Sequence, residues 1–435
     1  MSTPSDGFTT SQDLEDTGLK LEKVELERVN ITAASVAETA DEAKGTIPED
    51  GGFRGWMTVV GSWLILFSTL GYIYAFGVYQ DYYTRVFLSS HSPSSIAWLG
   101  SFQLMMPFAS AIIAGKLFDS GHFHSTIIAG SIIFIFSLFM LSLAHEGQYY
   151  QIFLSQGLGI GIGSGLIFAP ATTVVSQHFR KRRALAYGTA LTGISIGAVV
   201  FPISCKNSTL LPQIGFAKSV RATAYISLGC LIGGNLLMRP PVSTTQVGRA
   251  PADVMSFFRD SAYVIFIIGG FIALVGVYFP LVYMQLYAIE HAVDNTLAFY
   301  SLAIINGSGV IGRIIGNHLA DLYGVWNIQV PVTLLTGATI WAVLGISSTA
   351  SLIVVSIVYG ILSGGWLSLT LAALATTASN PQEVGARVGV SMAIVSVGLL
   401  ISAPIQGALL SSQFLWVRPI VFSGVSIIFS YYIKE

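Results

Sequence analysis

Residues 306–321 read NGSGVIGRIIGNHLAD and place an arginine, Arg313, in a run that up to Asn317 is otherwise made of apolar, small and amide side chains. A guanidinium keeps its charge at any working pH and presents five N–H donors in a planar fork. In a low-dielectric setting its natural partner is a carboxylate or another electron-rich oxygen group. At 100° per residue Arg313 shares a helix face with Asn306, Gly309, Gly316, Asn317 and Ala320, while Ile304, Ile311 and Ile315 lie opposite. Two uses of the charge compete. Either Arg313 binds a guest on that small, polar face, or it snorkels to an interface or pairs with a native acid such as Asp321, about 12 Å further along the helix. Other motifs carry less. GLGIGIGSG (157–165) lacks the order and the strand of a dinucleotide loop, and its glycines, repeating every fourth residue, suit close helix packing. GISIG (193–197) matches the nucleophile-elbow pattern only formally, with no strand-to-helix turn or positioned His and acid. HExxH, paired CxxC and GxxxxGK[ST] are missing, so the sequence offers no catalytic residue, metal site, cofactor site or ATP site, and the protein is expected not to be an enzyme.

The setting of Arg313 follows from composition. Of the 435 residues 53% are hydrophobic and only 10% charged, against roughly 25% charged in soluble domains. Apolar stretches of about 20 residues cross a bilayer as helices. Twelve are expected, near 56–80, 95–118, 125–144, 150–176, 184–204, 220–238, 262–288, 296–320, 328–346, 350–378, 388–411 and 416–433. A charge inside such a helix faces the bundle interior or a wet cavity, because lipid exposure costs about 2.5–3.5 kcal/mol on insertion scales. Residues 1–50 differ: through Arg54 there are 12 Asp or Glu against 5 Lys or Arg, which predicts a disordered acidic tail with at most a transient helix at LKLEKVELERV and no signal peptide. Ten loop basic residues fall on the side of RKRR (180–183), with Lys116, Arg239, Arg249, Arg259, Arg387 and Lys434. Five fall opposite: Arg85, Lys206, Lys218, Arg221 and Arg418. That balance puts both termini in the cytoplasm. RKRR itself reads as a topology anchor in reach of anionic lipid. Cys205 and Cys230 receive no role, and the sequon at Asn207 lies too close to a helix end to be used.

The chain repeats itself. GKLFDSG, with Gly115, Asp119 and Gly121, answers GRIIGNHLADLYG, with Gly312, Asp321 and Gly324. Gly165 answers Gly365, and Gly197 answers Gly398; the three offsets are 202, 200 and 201 residues. Two parallel six-helix halves result, 51–238 and 262–435, joined by a cytoplasmic loop at 239–261; this is a transporter architecture.

EDGGFRGW (49–56), YAFGVYQDYY (74–83), LLPQIGF (210–216), YAIEHAV (287–293) and NGSGVIGR with its distal HLADLYG carry a family likeness. Over about residues 49–433 the chain resembles the monocarboxylate-transporter-like family, fungal type, of the major facilitator superfamily. The resemblance implies an all-α membrane fold of 12 transmembrane helices in two six-helix halves. It also implies a substrate-binding role for Arg313, which aligns with the family's helix-eight arginine. Asp119 and Asp321, with Gly115 and Arg387, would hold the inner gate shut, each aspartate accepting hydrogen bonds from a helix N-terminus of the other half, Asp119 near Glu383 to Gly389. Two departures matter: Gly309 stands where animal members carry an aspartate, and Val78 where they carry a lysine. Their proton-coupling arrangement is therefore missing, leaving Glu290, His291, Asp294 and His318 as conceivable proton carriers.

The sequence thus predicts a carrier working by alternating access, with Arg313 and Asn306 binding the substrate and Tyr74, Tyr278, Tyr283 and Trp366, beside Tyr72 and Phe76, stacking on it. The expected cargo is a monocarboxylate-like organic anion. A larger aromatic or neutral solute, a flavin-type vitamin or secondary metabolite, is the alternative, and a non-transporting solute receptor a third reading, disfavoured by a short tail without a folded module. Expected partners are the small-molecule substrate and the lipid bilayer of the plasma membrane, not nucleic acid; an accessory membrane protein stays open.

Overall fold

A computed structural model describes residues 51–207, 215–241, 254–291, 293–378, 383–411 and 414–434. The expected acidic tail (1–50), the Ser and Thr of the Asn207 sequon, most of LLPQIGF and Arg249 lie outside the described residues, as does most of the inter-half loop. Eleven described helices are long and apolar enough to cross a membrane: α1 (Gly52–Gln80), α2 (Ser95–Asp119), α3 (Phe123–Leu141), α4 (Tyr149–His178), α5 (Arg183–Ser204), α6 (Phe216–Leu237), α7 (Ser261–Glu290), α8 (Leu297–Tyr323), α9 (Val325–Gly345), α10 (Thr349–Thr376) and α11 (Val384–Leu410). A shorter apolar helix, α12 (Val417–Lys434), completes twelve. Each expected span falls on one of them, with ends shifted by a few residues.

Helix starts follow their local chemistry. Asp294 accepts the Leu297 N–H before α8, Asp260 caps α7, and Ser348 with Ser351 forms a reciprocal box before α10. The repeated glycines after the two aspartates, Gly121 and Gly324, have φ of 82° and 91°. That left-handed region is easily entered only without a Cβ, and it lets α2 and α8 stop and reverse directly into α3 and α9. Outward faces are apolar, with Ile132, Phe136, Leu236, Ile315, Leu322 and Val354 exposed as lipid-facing residues should be.

The repeat is visible in packing as well as sequence. A Cβ on Gly197 would overlap the Phe67 carbonyl oxygen of α1, and one on Gly398 would come within 3.0 Å of the Phe271 carbonyl oxygen of α7. In α4, Gly161 and Gly165 face Met106, Pro107 and Ser110 of α2, while Gly159 and Gly163 face Ser137 and Phe134 of α3. The fourfold spacing is a packing device on two sides at once. Between the halves, α5 packs along α8 and α2 along α11. These two seams position everything that follows.

α1 and α7 are broken at matching places. Regular α-helical bonding is interrupted in α1 at Tyr74–Ala75 and in α7 at Tyr278, two residues before Pro280. Carbonyls beside the α7 break accept side-chain bonds from the same half: Val275 O from Ser402 Oγ and Gln406 Nε2, each at 2.8 Å, and Val277 O from the Tyr359 hydroxyl.

Candidate functional site

α8 carries one polar side chain per turn toward the N-terminal half: Arg313, Asn317 and Asp321. Asp321 lies at the end of the bundle that bears RKRR, here the basic end. Its two carboxylate oxygens accept the Ala184 and Leu185 N–H groups of α5, both at 2.8 Å. Asp119 does the same on the other seam, accepting the Ala386 N–H of α11 at 2.7 Å. Ala184 and Ala386 are themselves 202 positions apart, so the two caps are one device used twice. Each sets a carboxylate against the unpaired donors and positive pole of a helix start in the opposite half. Gly115 permits the α2–α11 contact, since a Cβ there would overlap the Gly385 carbonyl oxygen.

Arg387 differs from its expected place in a gate. Its guanidinium meets Asp260 at 2.8 Å, Glu383 at 3.5 Å and the Thr377 carbonyl at 2.8 Å, and lies over the rings of Phe257 and Tyr263. These partners all belong to the C-terminal half or the loop entering it, so Arg387 ties α7 to α11 rather than one half to the other. The bonded guanidinium holds the Asp260 carboxyl below the usual carboxylate range.

Arg313 sits midway along the α5–α8 seam and is 5% exposed. Its Nε donates to Ser195 Oγ of α5 at 3.1 Å, and its Nη1 has no hydrogen-bond partner among the described residues. No described carboxylate forms an ion pair with it. It neither snorkels nor pairs with Asp321. The small chamber it borders, of about 40 Å³, is lined by Tyr74, Ser195, Tyr278, Asn306, Tyr359 and Trp366 among others. Tyr74 of α1 and Tyr278 of α7, the residues at the two helix breaks, join hydroxyl to hydroxyl at 2.7 Å with rings stacked 6.4 Å apart. Both also border a much larger cavity of about 680 Å³ on the side away from the basic end, walled by Phe76, Trp98, Leu104, Tyr283 and Met284. A third, apolar pocket of about 30 Å³ lies behind Tyr278 and Trp366, against Phe108, Leu274 and Met392.

The structure therefore gathers Arg313, Asn306, Tyr74, Tyr278 and Trp366 around one chamber, with Tyr283 in the cavity above it. Several of these are already engaged. Asn306 Nδ2 donates to the Leu302 carbonyl, the Trp366 indole N–H to Thr333 Oγ1, and Tyr283 to the Ala403 carbonyl. Trp366 is thus a wall fixed to α9, and what it offers a guest is a ring face. Tyr72, expected with the stacking aromatics, instead packs against Tyr79, Phe134 and Phe201 inside the N-terminal half. His318 is exposed on the face opposite Arg313, Asp294 caps α8, and His291 stacks on Tyr287 near the far end. None of the three reaches the chamber. Ser195 is a site residue that motif reasoning misses, because GISIG suggests only a nucleophile pattern that a helix cannot serve. The usable signal is a small hydroxyl flanked by two glycines on a helix that must press against another.

A model of the Major Facilitator Superfamily matches residues 56–379. The chain belongs to the major facilitator superfamily. Among curated relatives of this superfamily member, the aspyridones efflux protein apdF of Emericella nidulans is 38% identical over 87% of this chain and 77% of its own length. The agnestins efflux protein AgnL12 of Paecilomyces divaricatus is 34% identical over 86% and 85%. Solved folds agree. The E. coli fucose:proton symporter FucP aligns with a TM-score of 0.67 at 15% identity over 87% of this chain and 97% of that one. The human organic anion transporter MFSD10 aligns at 0.66 and 11% over 88% and 98%. The protein is a multi-pass membrane transporter of the superfamily, not an enzyme.

The caps at Asp119 and Asp321 join the two halves at the basic end, so parting the halves there would have to break them. Asp321→Ala strips two buried N–H groups of their acceptor, at about 1–3 kcal/mol each. Spin labels at His124 and Asn327, exposed positions at the basic end of opposite halves, should report a population shifted at least tenfold toward longer distances. An unchanged distance distribution would remove Asp321 from the closure.

Proposed function

We propose that the protein exports an amphipathic, electron-rich secondary metabolite, with both termini in the cytoplasm and the large cavity facing outward from the plasma membrane. The observation that carries this reading is a cavity of about 680 Å³, walled by aromatic and aliphatic side chains, that shares Tyr74 and Tyr278 with the small chamber bordered by Arg313, an arginine with no carboxylate partner among the described residues. Pockets for drug-sized ligands span about 300–1,000 Å³, so the cavity suits a cargo with a sizeable ring system better than a three-carbon acid. The names of the relatives, efflux proteins for aspyridones and agnestins, favour the same class. The monocarboxylate reading draws its support from Arg313 and from the resemblance of the sequence to the monocarboxylate-transporter-like family, and not from the size of the cavity. In this proposal the cargo supplies the missing negative or strongly polar oxygen, and Tyr74, Tyr278, Tyr283 and Trp366 offer ring faces to its body.

The direction of transport has a physical basis. An anion leaving a cell whose interior is negative moves downhill by about 2.3 kcal/mol per 100 mV. Export through a site with no described proton-carrying acid beside Arg313 needs no coupled ion. The test is flux through vesicles reconstituted with the full chain and loaded with aspyridones, agnestins or lactate. Saturable flux of the larger compounds is expected, steepened by membrane potential and flat between about pH 6 and about pH 8, where a guanidinium keeps its charge. Flux of lactate alone would overturn the reading.

A further inference from the structure

The bond from Arg313 Nε to Ser195 Oγ joins the two halves, since Ser195 is on α5 and Arg313 on α8. It does not stand alone. Along the same seam, a Cβ on Gly188 would press into the Arg313 carbonyl oxygen and the Asn317 amide, and Asp321 caps the start of α5. Positions 184, 188 and 195 of α5 thus meet 321, 317 and 313 of α8 in order from the basic end inward. Alternating access rocks one half against the other about a central site. When the basic end opens this seam must part, and the Ser195 hydroxyl leaves with α5. With the seam closed Ser195 is 2% exposed and Arg313 5%, so their bond lies out of bulk water, where each hydrogen bond to a charge counts most.

We propose that Ser195 is a positioning residue that competes with the cargo for Arg313. With the basic end open, all five guanidinium donors face the guest. As the basic end shuts, Ser195 Oγ arrives at Nε and draws the fork toward α5, so the grip on the guest weakens in the state that faces the large cavity. A transporter can be biased only by a difference in affinity between its two states. This bond supplies one, with the sign that releases cargo on the cavity side. A hydroxyl is well matched to such a role because it accepts one hydrogen bond without neutralising the charge, whereas a carboxylate on α5 would hold Arg313 permanently. The inference rests on the reading that Arg313 binds the cargo.

The experiment uses the purified full chain and 1-pyrenebutyrate, a fluorescent aromatic carboxylate, with binding followed by anisotropy and flux followed in vesicles. Ser195→Ala is expected to tighten Kd about tenfold, the change one charge-assisted hydrogen bond accounts for, and to lower KM and kcat together because release slows. Ser195→Thr, which keeps the hydroxyl, should return both toward wild type. A merely structural role would lower kcat with KM unchanged or raised. Independently of any cargo, Ser195→Ala should lengthen the His124–Asn327 spin-label distance in a chain carrying Cys205→Ser and Cys230→Ser. Weaker binding in Ser195→Ala, or a distance distribution identical to wild type, overturns the proposal. The parent reading fails separately, by wild-type binding of pyrenebutyrate in Arg313→Leu. Should Ser195→Ala not fold, Ser195→Cys, a poorer acceptor, is read by the same measurements.

Discussion

Replacing Arg313 with leucine is expected to abolish cargo binding and flux while leaving the helix bundle at least as stable as the wild type. The two effects have one cause. Arg313 is buried, its Nη1 is unpaired among the described residues, and its single inter-half bond goes to a neutral hydroxyl. Holding a charge there costs the fold desolvation energy that no described carboxylate returns. Leucine removes that cost, and unfolding in detergent should move to the same or a higher temperature. Binding moves the other way. Hydrogen bonds from a charged donor contribute about 1.5–3 kcal/mol each, so losing two of them weakens the cargo by at least roughly 100-fold. Arg313→Lys keeps a point charge but loses the planar fork and the Nε–Ser195 geometry, and should sit between the two. Cargo affinity within threefold of wild type in Arg313→Leu would end the proposed role of this residue, and a lower unfolding temperature would mean that the guanidinium stabilises the fold.

The second large effect is expected at a glycine. A Cβ on Gly312 would overlap the Ile361 carbonyl oxygen of α10, and in the facing surface a Cβ on Gly360 would overlap the Ile305 carbonyl and one on Gly364 would come within 2.6 Å of the Gly309 carbonyl. α8 and α10 therefore meet backbone to backbone, and the residue after Gly312 is Arg313. Forcing atoms into such a contact costs about 1–3 kcal/mol and moves helices rather than side chains. Gly312→Ala should lower the unfolding temperature and cut flux at least tenfold by shifting the guanidinium off the chamber, and Gly312→Val should prevent folding. Gly229→Ala on α6 is the matched control, because nothing lies within 4 Å of its added Cβ and alanine favours the helix. Equal behaviour of Gly312→Ala and Gly229→Ala would show that the close approach does not hold the site.

The spans were legible because a bilayer-crossing helix must be both long and oily, two constraints composition cannot hide. The repeat was legible because the same backbone approaches recur: Gly165 and Gly365, Gly197 and Gly398, Asp119 and Asp321. The side of α8 that faces inward also followed from the sequence, with Arg313, Asn317 and Ala320 buried and Ile311 and Ile315 exposed. What stayed hidden depends on contacts between distant segments. Periodicity does not reveal that Ser195 meets Arg313, that Arg387 finds its acids within its own half, or that Tyr72 turns into packing while Tyr74, two residues on, reaches Tyr278. The break in α1 at Tyr74–Ala75 has no proline to announce it, unlike the break near Pro280. The cavity aromatics are hard to rank for a related reason, since a hydroxyl or indole N–H is already spoken for wherever a neighbouring helix offers an acceptor.

The bend in α7 at Tyr278 is held by Ser402, Gln406 and Tyr359, all from its own half, acting on the carbonyls of Val275 and Val277. A kink with its loose ends tied in this way is a cast shape and not an elbow. The rim it gives the large cavity is therefore a fixed piece of its half, and under the proposed alternating access the width of that mouth would follow the angle between the halves and not local bending of one helix.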